Sequence, residues 1–247
     1  MNYDKLLEEL VGKVDFDKYD AFSTSKYCHY TKIGDKEVAL IWCHYDSEEL
    51  LAKDYENNLE LKERLKIAKK RGARLPATIS VLKSNSYLFQ IQERVMGKKL
   101  AYYEILSDKT KVEDFIDVLK TIDIMTEEGI NVDQGYNCLV DDDGHINLFD
   151  LYLVPKREFR VNSKPYLFHD MIFREPTYPN EDDIKKLIII IRKIIKACAI
   201  YFNDNNLDRE TIYKEIMNVI KNYSFISMED KDKLINEILD ETLQITK

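Results

Sequence analysis

Asn137 and Asp150 bracket the segment NCLVDDDGHINLFD, thirteen residues apart. Both side chains offer oxygen to a hard cation, and the acidic middle, Asp141-Asp142-Asp143-Gly144, suggests calcium. The spacing rules out an EF-hand loop, which needs alternating oxygen ligands, a Gly at position 6 and a Glu at position 12. Counted from Asp141, position 6 is Ile146 and position 12 is Tyr152. Asp143-Gly144 is better explained as a tight turn, with an Asp–Gly pair supplying positive φ. The segment therefore reads as a hairpin over 138–149 with one polar residue at each end.

The other ligand-bearing residues are Cys28-His29 and Cys43-His44, on two adjacent apparent strands. Neighbours along a strand point to opposite faces, so these four do not converge on a zinc ion. The four Cys contain no C-x-x-C and fit a reduced compartment better than a disulfide framework.

Several elements must position these residues. Residues 3–11 read as a short amphipathic helix, and SKYCHYTKIGDKEVALIWC as two strands turning at Gly34-Asp35. A long helix over 47–71 stops at Gly72. ATISVLKSNSYLFQIQERV is another hairpin, turning at Ser84–Ser86. A second pattern follows. TKVEDFIDVLKTIDIMTEEG places Val112, Phe115, Ile116, Leu119, Ile122 and Met125 on one side of a helix closed by Gly129. The segment 151–179, rich in Tyr and Phe, is longer than a simple connection needs. Everything after Asn180 reads as helix. The expected architecture is α+β, with a strand-rich part over 1–96 and a larger helical part over 97–247. Ligands commonly bind between such parts.

Composition narrows the function. With 45% hydrophobic and 33% charged residues, the chain has the make-up of an ordinary soluble protein. Its net charge of −8 gives no electrostatic footprint for nucleic acid. The basic stretch KERLKIAKKRGAR reads as the solvated face of a helix. The apolar run LIIIIRKIIKACAIYF carries Arg192, Lys193 and Lys196 and is too short for a membrane span; it is expected as a buried helix. The N-terminus has no basic-then-apolar signal pattern. The expected location is the cytoplasm, either of the producing cell or, by a signal-independent route, of another cell.

The stretch GINVDQGYNCLVDDDGHINLFDLY resembles the catalytic region of protein kinases and their aminoglycoside-phosphotransferase-like relatives. In that superfamily an Asn ends the catalytic loop, and an Asp after a short hairpin opens a D-F-G-like triplet; both hold the magnesium ions that bridge ATP phosphates. The resemblance puts Asn137 and Asp150 in those two metal positions. FQIQERVMGKKL resembles the linker between lobes, where Glu93–Val95 would offer backbone groups to adenine and Gly97 would let the chain turn. The helix over 111–128 precedes the loop, as the family requires. YPNEDDIKKLIIII resembles the start of the family's central buried helix, with Asp182 or Asp183 buttressing the catalytic loop. The matches run in family order from about residue 20 to 200. They imply a bilobal kinase-like fold, with ATP and magnesium as cofactors and a protein substrate or binding partner.

The departures concern the chemistry. FSTSKYCHY stands where the family has its Gly-rich loop, leaving Ser23, Thr24 and Ser25 to meet phosphate. EVALIW resembles the family's V-A-I-K strand, with Ile41 in place of the Lys. The usual ion pair to the long helix, at Glu56 or Glu60, cannot form; Lys32 is a candidate substitute. The catalytic Asp of the family falls at Val132, and Asp133 is one residue late. Two functions follow. One is a divergent Ser/Thr protein kinase with Asp133 as base. The other is a pseudokinase that binds nucleotide or a partner without phosphotransfer. An unrelated α+β protein stays as a third reading.

Overall fold

A computed structural model describes residues 3–13, 15–22, 26–99, 107–132, 137–154, 181–202, 207–222 and 226–243. The chain is α+β and divides into two compact units, Met1–Val95 and Met96–Lys247. Among the described residues, no helix is long and apolar enough to cross a membrane.

The N-terminal unit begins with α1 (Tyr3–Val11) and a two-residue strand β1 (Ala21–Phe22), then β2 (Tyr27–Ile33) and β3 (Lys36–His44). The helix α2 (Glu48–Lys70) leads to β4 (Thr78–Ser84) and β5 (Tyr87–Glu93). The strands form one antiparallel sheet in the order β1-β2-β3-β5-β4. Alternation along the strands sorts side chains to two faces. Val38, Leu40 and Trp42 of β3 join Phe89 and Ile91 of β5 in a core sealed by Leu7 of α1. On the other face Val81 and Leu88 pack against Leu51, Tyr55 and Leu59 of α2. The helix α2 starts where the Ser47 hydroxyl accepts the Leu50 N–H at 3.3 Å, satisfying one of the free first-turn donors. Asn85, at φ +50°, provides the tight reversal between β4 and β5.

The C-terminal unit opens with β6 (Lys98–Lys99). Next come α3 (Val112–Glu128) and β7 (Ile130–Val132), then β8 (Cys138–Val140), β9 (Ile146–Leu148) and β10 (Leu151–Leu153). The helices α4 (Glu181–Tyr201), α5 (Leu207–Asn222) and α6 (Met228–Leu243) complete the described elements. Gly129, at φ +68°, ends α3 in the left-handed conformation that its missing Cβ allows. Phe115, Val118, Leu119, Ile122 and Met125 of α3 are buried, as are Leu187, Ile190, Ile191, Ile194, Ile195 and Cys198 of α4. The expectation of a buried helix holds for that face and is corrected for the opposite one, where Lys185, Arg192 and Lys196 are exposed together with two isoleucines. Ile189 is 41% and Ile200 is 60% exposed.

Candidate functional site

β8 and β9 form the hairpin, paired Cys138↔Leu148, Leu139↔Asn147 and Val140↔Ile146. Cys138, Val140, Ile146 and Leu148 are all buried, so one face of this small ladder is fixed by packing. On its outer edge β8 pairs with β6, Lys98↔Val140 and Lys99↔Leu139. Gly97 permits that approach. Its φ is +131°, and a Cβ there would lie 2.4 Å from the Val140 carbonyl oxygen.

The acidic turn is built by one carboxylate. Asp141 accepts the N–H of Asp143 at 3.1 Å, that of His145 at 2.9 Å and the Asn147 amide at 3.2 Å. Burial pushes the Asp141 carboxyl up, but these donors together hold it below the ordinary aspartate value. Gly144, at φ +91°, completes the turn. Asp141 is therefore spent on the chain itself. Among the described residues, no three His, Cys, Asp or Glu side chains are grouped to hold a metal ion.

At the other end the hairpin closes through the Phe149 N–H, which donates to the Asn137 carbonyl oxygen at 2.9 Å. This brings the two bracketing side chains together, with Asn137 Nδ2 3.5 Å from Asp150 Oδ2. A half-turn of the amide exchanges Nδ2 and Oδ1 without moving other atoms, so two oxygens can face one point. One carboxylate and one amide oxygen suit magnesium, which keeps most of its sphere for water and phosphate. Asp150 has a φ of +56°. At this residue the chain leaves one ladder for another, since β10 pairs with β7 through Leu151↔Val132 and Leu153↔Ile130. Asp tolerates the left-handed region better than most side chains, though at some cost.

The other candidate residues lie as follows. Asp133, between β7 and Asn137, falls outside the described residues, as do Ser23, Thr24 and Ser25. Glu93 ends β5 and is occupied at two points. Its N–H donates to the Ala77 carbonyl oxygen at 2.9 Å, and its carboxylate accepts the Ala77 N–H at 2.9 Å and pairs with Lys69. Burial works against the Glu93 carboxylate, but these two donors hold its pKa below the ordinary value. The Arg94 N–H is also engaged, with the Glu37 carbonyl oxygen at 3.3 Å. The backbone N–H groups of Glu93 and Arg94 therefore serve the sheet, and Val95 is half-buried.

Ile41 sits on β3 opposite Cys28 and Gln90. Gln90, paired with Ile41, is tied to α2 by a neutral bond, its amide donating to Asn58 Oδ1 at 2.7 Å, while Lys69 of α2 makes a charged tie to Glu93 of β5. Glu56 and Glu60 are exposed, and Glu60 pairs with Arg64. Lys32 forms an exposed cross-strand pair with Glu37 at 3.5 Å. Asp182 pairs with Lys186 one turn along α4 at 2.7 Å, and that hydrogen bond lowers its pKa. The side chain of Asp183 is outside those described.

Two contacts at the far end of the hairpin escaped sequence reasoning. Asp114, 7% exposed, accepts the Lys111 N–H at 2.7 Å and lies 2.9 Å from His145 Nδ1. Lys193 of α4 donates to the Ser107 and Thr110 carbonyl oxygens, 2.6 Å each. Burial pushes the Lys193 ammonium down, only partly countered by Asp108 and Asp114. Asp114, as the third residue of its helix, carries a local capping signal. Its imidazole partner is 31 residues away and carries none.

Compared with protein-family models and with curated proteins, the chain matches none.

Proposed function

We propose that the chain is an ATP- and magnesium-dependent phosphotransferase, a divergent protein kinase with the bilobal kinase-like fold, whose Asn137 and Asp150 hold the metal. One observation carries this reading: the two side chains stand 3.5 Å apart at the root of one buried hairpin. Asn137 and Asp150 would hold magnesium there, and the ion would supply positive charge against the phosphates of ATP. The residues of the chain bind and orient. Asp150 supplies the carboxylate, aimed by its left-handed backbone. Asn137 supplies the amide oxygen, and its own carbonyl is pinned by the Phe149 N–H. Asp133 accepts the proton of the acceptor hydroxyl. The acceptor is a protein Ser or Thr, because no acidic insert marks a small-molecule pocket.

A specific observation favours a second reading, the pseudokinase that binds nucleotide or a partner without transfer. Position 41 carries an Ile, paired across the sheet with Cys28 and Gln90, so β3 offers no Lys there to pair with Glu56 or Glu60 of α2. The two readings part on Asp150→Ala and Asp133→Ala. In an enzyme the first weakens metal-dependent ATP binding and abolishes transfer. The second spares binding and slows transfer by roughly 10²–10⁴-fold. Calorimetry and radiolabelled phosphate transfer on the three proteins decide. ATP binding by the wild type with no transfer to any protein or to itself selects the pseudokinase. If neither substitution changes binding or transfer, these sites are wrong.

A further inference from the structure

The hairpin that carries Asn137 and Asp150 has only three residues in each strand. So short a hairpin depends on its neighbours for its orientation: β6 pairs along β8 and one face is packed, which leaves the tip to be fixed. Its root is the candidate site, and its tip is tied to the first turn of α3. Asp141 fixes the backbone of His145 by accepting its N–H at 2.9 Å, while the His145 carbonyl oxygen accepts the Asp141 N–H at 3.0 Å. The imidazole projects from that fixed point to Asp114 Oδ1 at 2.9 Å. Because a carboxylate accepts there, Nδ1 carries the proton. Asp114 is itself immobilised, buried and holding the Lys111 N–H at 2.7 Å with its other oxygen. Gly144 brings the tip so close that a Cβ would lie 2.4 Å from the Lys109 carbonyl oxygen. A tilt of the tip on α3 therefore moves the root, where two side chains must converge on one cation.

We propose that Asp114 and His145 are positioning residues, whose link between α3 and the hairpin tip sets the divalent-cation affinity of the Asn137–Asp150 pair without touching the cation. This rests on Asn137 and Asp150 being the metal ligands. The bland alternative is a contact that contributes stability alone.

The test uses the full chain and the manganese complex of a non-hydrolysable ATP analogue. Calorimetry gives the Kd and electron paramagnetic resonance reports the coordination of bound Mn²⁺. His145→Phe removes the donor and should weaken binding by about tenfold, the scale of lost outer-shell support, with an altered Mn²⁺ spectrum. His145→Asn places an amide N–H near the position of Nδ1 and should restore binding to within about twofold of wild type. Asp150→Asn, which alters a ligand, should abolish the metal-dependent part. If His145→Phe does not fold, Asp114→Asn makes the same comparison: it removes the charge from the link and should weaken binding severalfold. Wild-type affinity and spectrum in a folded His145→Phe, with binding lost in Asp150→Asn, overturn the positioning role alone. No manganese-dependent binding by wild type, or full binding by Asp150→Asn, overturns the ligand assignment and this proposal with it.

Discussion

Glycine and alanine at position 150 should separate the backbone of the site from its chemistry. Both substitutions delete the carboxylate, so whatever it contacts is lost equally in the two variants. They differ in the backbone. Asp150 sits at φ +56°. A residue with a Cβ spends roughly 1–2 kcal/mol to remain in the left-handed region, whereas glycine enters it freely. Against this, unfolded glycine is freer than unfolded alanine by about 0.4–1 kcal/mol. The difference leaves Asp150→Gly more stable than Asp150→Ala by roughly 0.5–1 kcal/mol. At this chain length that corresponds to about 1–4 °C in Tm. Urea denaturation at equilibrium measures the difference. Calorimetry with ATP and magnesium should show the two variants equally deficient despite their unequal stability. If alanine proves the more stable, the left-handed geometry at this junction is wrong. If magnesium-dependent binding follows stability and glycine recovers it, the carboxylate is no ligand.

Gly97→Ala should destabilise by about 2–3 kcal/mol or more, since its Cβ would meet the Val140 backbone at a φ reserved for glycine; a neutral result in urea would break the β6–β8 pairing. Glu93 has a lowered pKa in the folded chain, so its contribution is present above the ordinary glutamate value of 4.5 and fades as the pH falls through its folded value. Glu93→Gln should therefore flatten the acid limb of a stability–pH curve below about pH 4.5, and an unchanged limb would show that Lys69 and Ala77 do not hold the carboxylate. Ile190→Ala, at a fully buried site, should cost about 2–5 kcal/mol, while Ile200→Ala, 60% exposed, should stay within about 0.5 kcal/mol. Equal effects in urea would mean that α4 is rotated from its described face.

Elements whose signals are local were readable from the residues. The helix α2 carries its own cap at Ser47 and its stop at Gly72, and the reversals at Gly34 and Asn85 mark the sheet hairpins. The hairpin bracketed by Asn137 and Asp150 was readable for the same reason, because its turn lies between its strands. The strands β7 and β10 were not, being three residues each and joined across about twenty residues of chain. Lys98-Lys99 has no strand signature at all; Gly97 and the free edge of β8 make it one. Ile189 and Ile200 fall at helical spacing from Arg192 and Lys196, so those charges marked the outward face, which the long apolar run between them obscured. The Asp114–His145 contact depends on how the hairpin tip meets α3, which no spacing within either segment encodes.

The central claim is that Asn137 and Asp150 hold magnesium against ATP, and thermal unfolding tests it most directly. The chain is melted alone, with magnesium, with ATP, and with both. ATP at 100 times its Kd should stabilise by roughly 2.7 kcal/mol only when magnesium is present. Asp150→Asn should lose that magnesium-dependent increment while keeping its own baseline stability. Four identical melting curves for wild type, or an ATP effect indifferent to magnesium and to Asp150→Asn, would contradict the account.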